Sequence, residues 1–333
     1  MNLTRTFALT LAAAIVFAAN PAGRPALAQT PAQPWPTKPI TIIQGFSAGS
    51  GLDIVARVMQ EPLEKILGQP IVFDYKVGAG GNNASVFVAK ATPDGHTLLI
   101  GTAGTHGINA ALYKKIPFDV EADFTAIAPI VDVPNVLVVN PASLDATDLK
   151  DFIAKVKAQA GKLNYGSTGN GTSTHLGFAQ LNSAAGLDMA HVPYKGSPEA
   201  IQAMIAKETC CMVAQVQTIL GQHKAGTVRL LGVTTKQRVG ILKDVPTLAE
   251  AGLPGFQSVT WYGYFGPRGL DAAITQKFNA AVRDVLAQPA IKERMAALGN
   301  ALRPETVEQF RETVKKDRAL WADVVKTSGA SVD

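Results

Sequence analysis

The residues best able to do chemistry fall in a few places. Gly45-Phe46-Ser47-Ala48-Gly49 matches G-x-S-x-G, with Ser47 where a hydrolase keeps its nucleophile. Gly166 to His175 reads GSTGNGTSTH, a run of small hydroxyl and amide side chains. Five histidines stand at 96, 106, 175, 191 and 223, and Cys210 adjoins Cys211. A nucleophilic Ser47 would need an imidazole and an acid, which His175 and a downstream carboxylate could supply. Yet Ser47 follows the first apolar strand after the leader. A hydrolase takes oxyanion-hole N–H groups from an earlier strand's loop, and nothing upstream offers one. An exported serine hydrolase using Ser47 therefore stands as the alternative reading. The histidines show neither H-E-x-x-H nor a Cys–His spacing, so no metal and no cofactor is expected. Gly166 to Gly171 has no P-loop lysine, and its glycines miss the dinucleotide spacing. Adjacent Cα atoms lie about 3.8 Å apart, short of the usual disulfide range of roughly 4.4–6.8 Å. Cys210 and Cys211 are expected as two buried thiols.

What remains is non-covalent chemistry. Ser167, Thr168, Asn170, Thr172 and Ser173 are short neutral donors. With backbone N–H groups they can hold a carboxylate; the same residue types also cap helices. His175 is either a ligand donor or a ring bonded to backbone. Asp53 reads as a helix cap or dipole partner rather than a catalytic acid. Gln215 and Gln217 are candidate pocket groups, and Trp261 and Tyr262 either wall a pocket or pack a hinge.

These residues need elements to position them. Ile40 to Ile43 is a buried strand pattern, followed by a small-residue loop. Ile54, Val55, Val58, Met59, Leu63, Ile66 and Leu67 then mark one face of a helix, with Pro62 expected to kink it. Strand, small-residue loop and helix N-terminus make an anion site. The device recurs at Val77 to Ser85, at Gly101 to Asn109 and at Gly166 to His175. Strands alternating with helices predict parallel βαβ units, whose ligands bind beyond the strand C-termini. Thr147 is the expected cap of a helix through Val156, and helices are expected from about Ala272, Ala290 and Pro304. A strand at 131–140 leaves the first α/β set and one at 259–265 returns after the second. Two such crossings describe a hinged clamp.

The chain has 333 residues and a net charge of +5, too mild to favour nucleic acid. Met1 to Ala28 reads as an export signal: Arg5, an apolar run from Phe7 to Ala19, and the small-x-small site Ala26-Leu27-Ala28. Cleavage after Ala28 would release a soluble periplasmic chain. The expected domains are 29–138 plus 262–333 for lobe 1 and 139–261 for lobe 2.

Seven stretches, in order, resemble one family: WPTKPITIIQGFSAGSGLDIVAR (35–57), LGQPIVFDYKVGAGG (67–81), ATPDGHTLLIGTAG (91–104), GKLNYGSTGNGTSTHL (161–176), HVPYKGSPEAIQAM (191–204), VPTLAEAGLPGF (245–256) and WYGYFGPRG (261–269). Together they are similar to the periplasmic solute receptors of tripartite tricarboxylate transporters, the Bug or TctC-like receptors. The resemblance implies an α/β Venus-flytrap fold of the periplasmic-binding-protein type. Each lobe would be a mixed or parallel sheet flanked by helices, with two hinge crossings. It also implies capture of a small carboxylate and delivery to membrane permease subunits; the chain is expected to be a monomer, and a receptor that feeds a sensor instead of a permease stands as a further alternative. In such receptors the first-strand loop and the second lobe's polar loop grip a carboxylate, largely through backbone groups and bridging waters. Carried over, this points to Phe46, Ser47, Ala48 and Gly49, to Thr102 and Thr105, and to Ser167, Thr168, Asn170, Thr172, Ser173 and His175. Gln215 stands in a strand where the family commonly has acidic residues, which implies an acid without an ammonium group.

Overall fold

In the computed structural model residues 35–328 are described. The expected export signal and its cleavage site lie outside the described residues.

Three βα pairs open the fold. They are β1 (Ile40–Gln44) with α1 (Gly51–Leu67), β2 (Ile71–Tyr75) with α2 (Asn82–Ala89), and β3 (Thr97–Thr102) with α3 (Asn109–Leu112). β1 pairs with β2 and β3 in parallel, so the loops after all three strands share one sheet edge. α1 turns Val55, Val58, Met59, Leu63 and Leu67 into the core and runs unbroken through Pro62. It ends at Gly68, whose φ of 74° allows the left-handed cap that a side chain would strain.

β4 (Phe124–Val139) is longer than the expected strand and belongs to both halves of the fold. Its first part pairs antiparallel with β9 (Val259–Pro267), which also pairs with β3. Its last part, Asn135 to Val139, pairs with β7 (Cys211–Gln215) and, from Val136, with β8 (Arg229–Val233). The register of β4 against β9 shifts between Pro129 and Val131. A proline has no N–H for the ladder, so a strand absorbs it at such an irregularity.

The second lobe adds α4 (Leu149–Lys157), β5 (Asn164–Ser167), α5 (Ser173–Ala185), β6 (Ala190–Pro193), α6 (Ser197–Ile205) and α7 (Val216–Lys224). Asp148, not the expected Thr147, caps α4: its side chain accepts from Asp151 N–H, while Thr147 sits one residue too early. After β9 the chain returns to the first lobe through α8 (Ala272–Ala287), α9 (Pro289–Ala297), β10 (Ala301–Leu302) and α10 (Val307–Ser328).

Each lobe has its own core. Val55, Met59 and Leu63 of α1 pack with Tyr264 of β9 and Phe278 of α8 in the first. Phe152, Tyr165, Phe178 and Val213 pack in the second. A small cluster joins them, with Leu176 of α5 among Ile108, Leu112 and Trp321. Cys210 and Cys211 are buried free thiols. Among the described residues no helix is long and apolar enough to cross a membrane.

Candidate functional site

The two lobes meet where their strand-end loops face each other. Gly80 lies so close to the Asn170 carbonyl that a Cβ there would come within 1.9 Å of the oxygen. Tyr113 donates to the same carbonyl at 3.3 Å. At the rim, the Ser47 hydroxyl donates to Glu199 Oε2 at 3.0 Å, and Gln217 Nε2 reaches the Gly51 carbonyl at 3.4 Å.

Between these contacts lies a cavity of about 20 Å³, room for about one water. Its walls are the first turns of helices. Ser50, Gly51 and Leu52 begin α1, Thr172 and Ser173 begin α5, and Ser197 begins α6. Gln215, the last residue of β7, is also the N-cap of α7. Four helix N-termini from two lobes thus converge on one small space. Each leaves backbone N–H groups without an intrahelical partner and carries a partial positive charge of about +0.5. Phe46, Thr102, Thr168, Thr260 and Tyr262 complete the lining, which contains no charged side chain.

The ends of α1 and α5 are capped from within, which fixes their direction. Ser50 Oγ accepts from Asp53 N–H at 3.4 Å, and Thr172 Oγ1 accepts from His175 N–H at 3.3 Å. Ser197 Oγ donates to Gln215 Oε1 at 3.0 Å, joining the starts of α6 and α7.

The nearest acid on the first lobe is already engaged. Asp53 accepts from Gly49 N–H at 2.8 Å, Arg57 Nε at 2.9 Å, Tyr75 at 2.8 Å and Gln44 Nε2 at 3.1 Å. Burial pushes its carboxyl up. The bonds from Gly49, Arg57, Tyr75 and Gln44 outweigh burial and leave it below the usual carboxylate range. It stays ionised, is balanced by Arg57, and ties down the loop at Gly49. It does not line the cavity.

Of the residues expected from sequence, Phe46, Thr102, Thr168, Thr172, Ser173 and Gln215 line the cavity. Ser47, Ala48 and Gly49 form the more exposed rim. Thr105 stands behind Thr102: its hydroxyl accepts from Thr102 N–H at 3.0 Å, and Thr102 Oγ1 accepts from Thr105 N–H at 3.1 Å. Asn170 presents its carbonyl to the opposite lobe, at Tyr113. Ser167 lies under its loop, bonded to His191 Nε2 at 2.6 Å and accepting from Gly169 N–H. His175 takes the Gly171 N–H on Nδ1 at 3.3 Å and stacks on His191 with ring centroids 3.9 Å apart. Burial lowers the His175 pKa to about 4; burial, with the neighbouring His175, lowers that of His191 to about 3. Both are neutral supports of the polar loop.

Sequence reading did not mark Ser50, Gly51, Leu52, Ser197 or Thr260. Ser50 and Ser197 carried a signal, since each is a hydroxyl residue at the start of an apolar periodic run. Ser47 has no histidine partner among the described residues; its partner is a carboxylate. No group of three or more His, Cys, Asp or Glu that could hold a metal occurs among the described residues.

A family model described as "Tripartite tricarboxylate transporter family receptor" matches residues 55–329. Protein BugT of Bordetella pertussis is 31% identical over 335 residues, spanning 100% of both chains. The solved structure of R. palustris Rpa4515 with adipate superposes with a TM-score of 0.87 at 31% identity, covering 89% of this chain and 99% of that one. The periplasmic binding protein BugD superposes with a TM-score of 0.85 at 31% identity, with the same coverage of 89% and 99%.

Proposed function

The chain belongs to the tripartite tricarboxylate transporter receptor family, and on that premise we propose that it captures a small carboxylate between its two lobes and delivers it to a membrane transporter. The observation that carries this reading is the convergence of four helix N-termini, from both lobes, on a cavity lined only by neutral side chains. Such a site suits an anion by its dipoles and unpaired N–H groups. Four partial charges favour a doubly charged ligand over a singly charged one, and adipate, bound by the similar Rpa4515, is a dicarboxylate. An ammonium group would find no carboxylate in the lining, and Gln215 offers an amide in its place.

Binding requires no covalent step. The lobes separate about β4 and β9 and the acid enters. Because the cavity here has room for about one water, the lobes close on the acid less far than in this structure, replacing its water shell with fixed donors. The domain limits in this reading are 29–138 plus 262–333 and 139–261. Cleavage after Ala28 would release the chain, as a monomer, into the periplasm. Phe46, Thr102, Thr168, Thr172, Ser173 and Gln215 would contact the ligand, with Ser47, Ala48 and Gly49 closing the rim. Thr105, Ser167, Asn170 and His175 would hold the loops. The serine hydrolase reading has no support, because Ser47 donates to Glu199 and has no imidazole partner among the described residues. Calorimetric titration of the refolded 29–333 chain with mono-, di- and tricarboxylates tests the proposal; absence of binding by every acid class would end it.

A further inference from the structure

A second concavity, about 570 Å³, lies along β9 away from the cavity just described. Thr260 lines both. Its walls come from both lobes: Gln180 of α5 and Ser258 on one side, Asp317, Leu320 and Trp321 of α10 on the other. Two buried polar atoms here lack hydrogen-bond partners, and a neighbouring carboxylate lacks an ion pair among the described residues. Ser258 is 2% exposed, and its Oγ has no partner. Gln180 Oε1 is shut off from solvent and has none. Asp317 accepts a hydrogen bond from Trp261 Nε1 and pairs with no cation among the described residues. Unmet buried acceptors are costly.

The charges nearby do not fill the gap. Arg303 is held by Asp132 at 3.1 Å and also pairs with Glu305. Lys316 lines the groove but is exposed. The lining holds Asp132 and Asp317 against Arg303 and Lys316, and because Arg303 is taken up by Asp132 and Glu305, Asp317 has no salt bridge among the described residues. Burial holds the Asp317 carboxyl above its ordinary value despite the opposing hydrogen bond from Trp261 and the nearby charge of Arg303, so its ionised form is under-stabilised in this structure. Leu320 is 58% exposed beside buried Trp321, giving an apolar ledge.

We propose that this groove binds an alkylammonium or guanidinium group, its charged head on Asp317, Gln180 and Ser258 and its apolar body on Leu320 and Trp321. The head could belong to a free amine or to a Lys or Arg side chain of a docked protein. Either occupant would touch both lobes at once. The site is separate from the carboxylate cavity and stands or falls independently of it.

The test uses the 29–333 chain and follows the tryptophan indole N–H resonances during titration with n-butylammonium chloride, with sodium chloride as control. A parallel titration uses a short capped peptide with one lysine between leucines, against its Nζ-acetylated form. Saturable shifts of Trp261 and Trp321, with Trp35 unmoved, are expected. Asp317→Asn should weaken binding roughly 10- to 100-fold, and Ser258→Ala should weaken it severalfold. Saturation by butylammonium identifies a free amine; saturation only by the lysine peptide identifies a protein side chain. No saturation by either probe overturns the proposal. So does unchanged affinity in Asp317→Asn or, if that variant fails to fold, in Ser258→Ala.

Discussion

The Ser47 hydroxyl donates to the Glu199 carboxylate across 152 residues of sequence, at 3.0 Å, and so links the loop before α1 to the first turn of α6. The two residues sit on opposite lobes, so the bond exists only when the lobes meet. It is a latch on the closed form. A charge-assisted hydrogen bond of this kind, partly open to solvent, contributes about 1 kcal/mol. Ser47→Ala should weaken carboxylate binding several-fold by calorimetry, mainly through faster release. Complete loss of binding would place Ser47 on the ligand instead of the rim.

Gly51 permits the lobes to close. A Cβ at this position would stand 2.9 Å from Gln217 Nε2 and 3.0 Å from the Tyr262 hydroxyl. Gly51→Ala crowds the ends of the Gln217 and Tyr262 side chains, which must shift for the lobes to meet as they do here, while leaving both cores intact. We expect affinity to fall by tenfold or more, with little change in the melting temperature of the free protein. Small-angle scattering with saturating acid should show a smaller contraction than in the parent chain. Equal contraction would show that Gln217 yields easily.

Gln215 should set the choice between plain and amino dicarboxylates. It is the N-cap residue of α7, its amide oxygen accepts from Ser197 rather than capping the helix, and it lines the cavity. Replacing it by Asp puts a carboxylate where an ammonium could pair. The parent chain is expected to prefer succinate or adipate over aspartate or glutamate, and Gln215→Asp should shift that ratio by at least tenfold towards the amino acids. A parent chain that binds aspartate or glutamate tightly and their deaminated analogues weakly contradicts this.

Stability should decline with acid in two stages. His106 and His175, buried, and His191 have pKa values lowered from about 6.5 to about 3, 4 and 3. In the unfolded chain these imidazoles take up protons below pH 6.5, while in the fold they stay neutral. Stability is therefore full above 6.5 and falls from there towards pH 4. Asp53 adds a later loss: its folded pKa lies below 3.8, so its contribution is present above that value and fades as pH drops through the folded pKa. His175→Asn keeps an acceptor for Gly171 N–H and should flatten part of the slope between pH 6.5 and 4 in melting curves. An unaltered slope would mean that His175 is not neutral in the fold.

Much of this architecture was written locally. The runs before Gly45, Val77 and Gly101 encode strand, small-residue loop and helix in contiguous stretches, so those three units and their shared edge could be read directly. β4 could not. Pro129 and Pro134 argue against a continuous strand, and only pairing with β9 and β7 sustains 16 residues. α7 was hidden because Gln215 ends β7 and caps α7 with no loop between them. The cavity was half legible for the same reason. The Gly-rich loops announce themselves, whereas Ser50, Leu52, Ser197 and Thr260 matter only because the fold brings four helix starts together. That convergence depends on contacts between distant segments, which no local pattern records.

The central claim is capture of an acid by converging helix ends. The most direct measurement is a thermal-shift screen of the 29–333 chain, unfolded and refolded to strip carried ligand, against carboxylic and amino acids. A ligand at about 100 times its dissociation constant stabilises by about 2.7 kcal/mol, enough for a shift of several degrees. A saturable shift with a dicarboxylate, reduced in Gly51→Ala, is the predicted result. No shift with any acid, while a generic ester is cleaved in a Ser47-dependent manner, would contradict it.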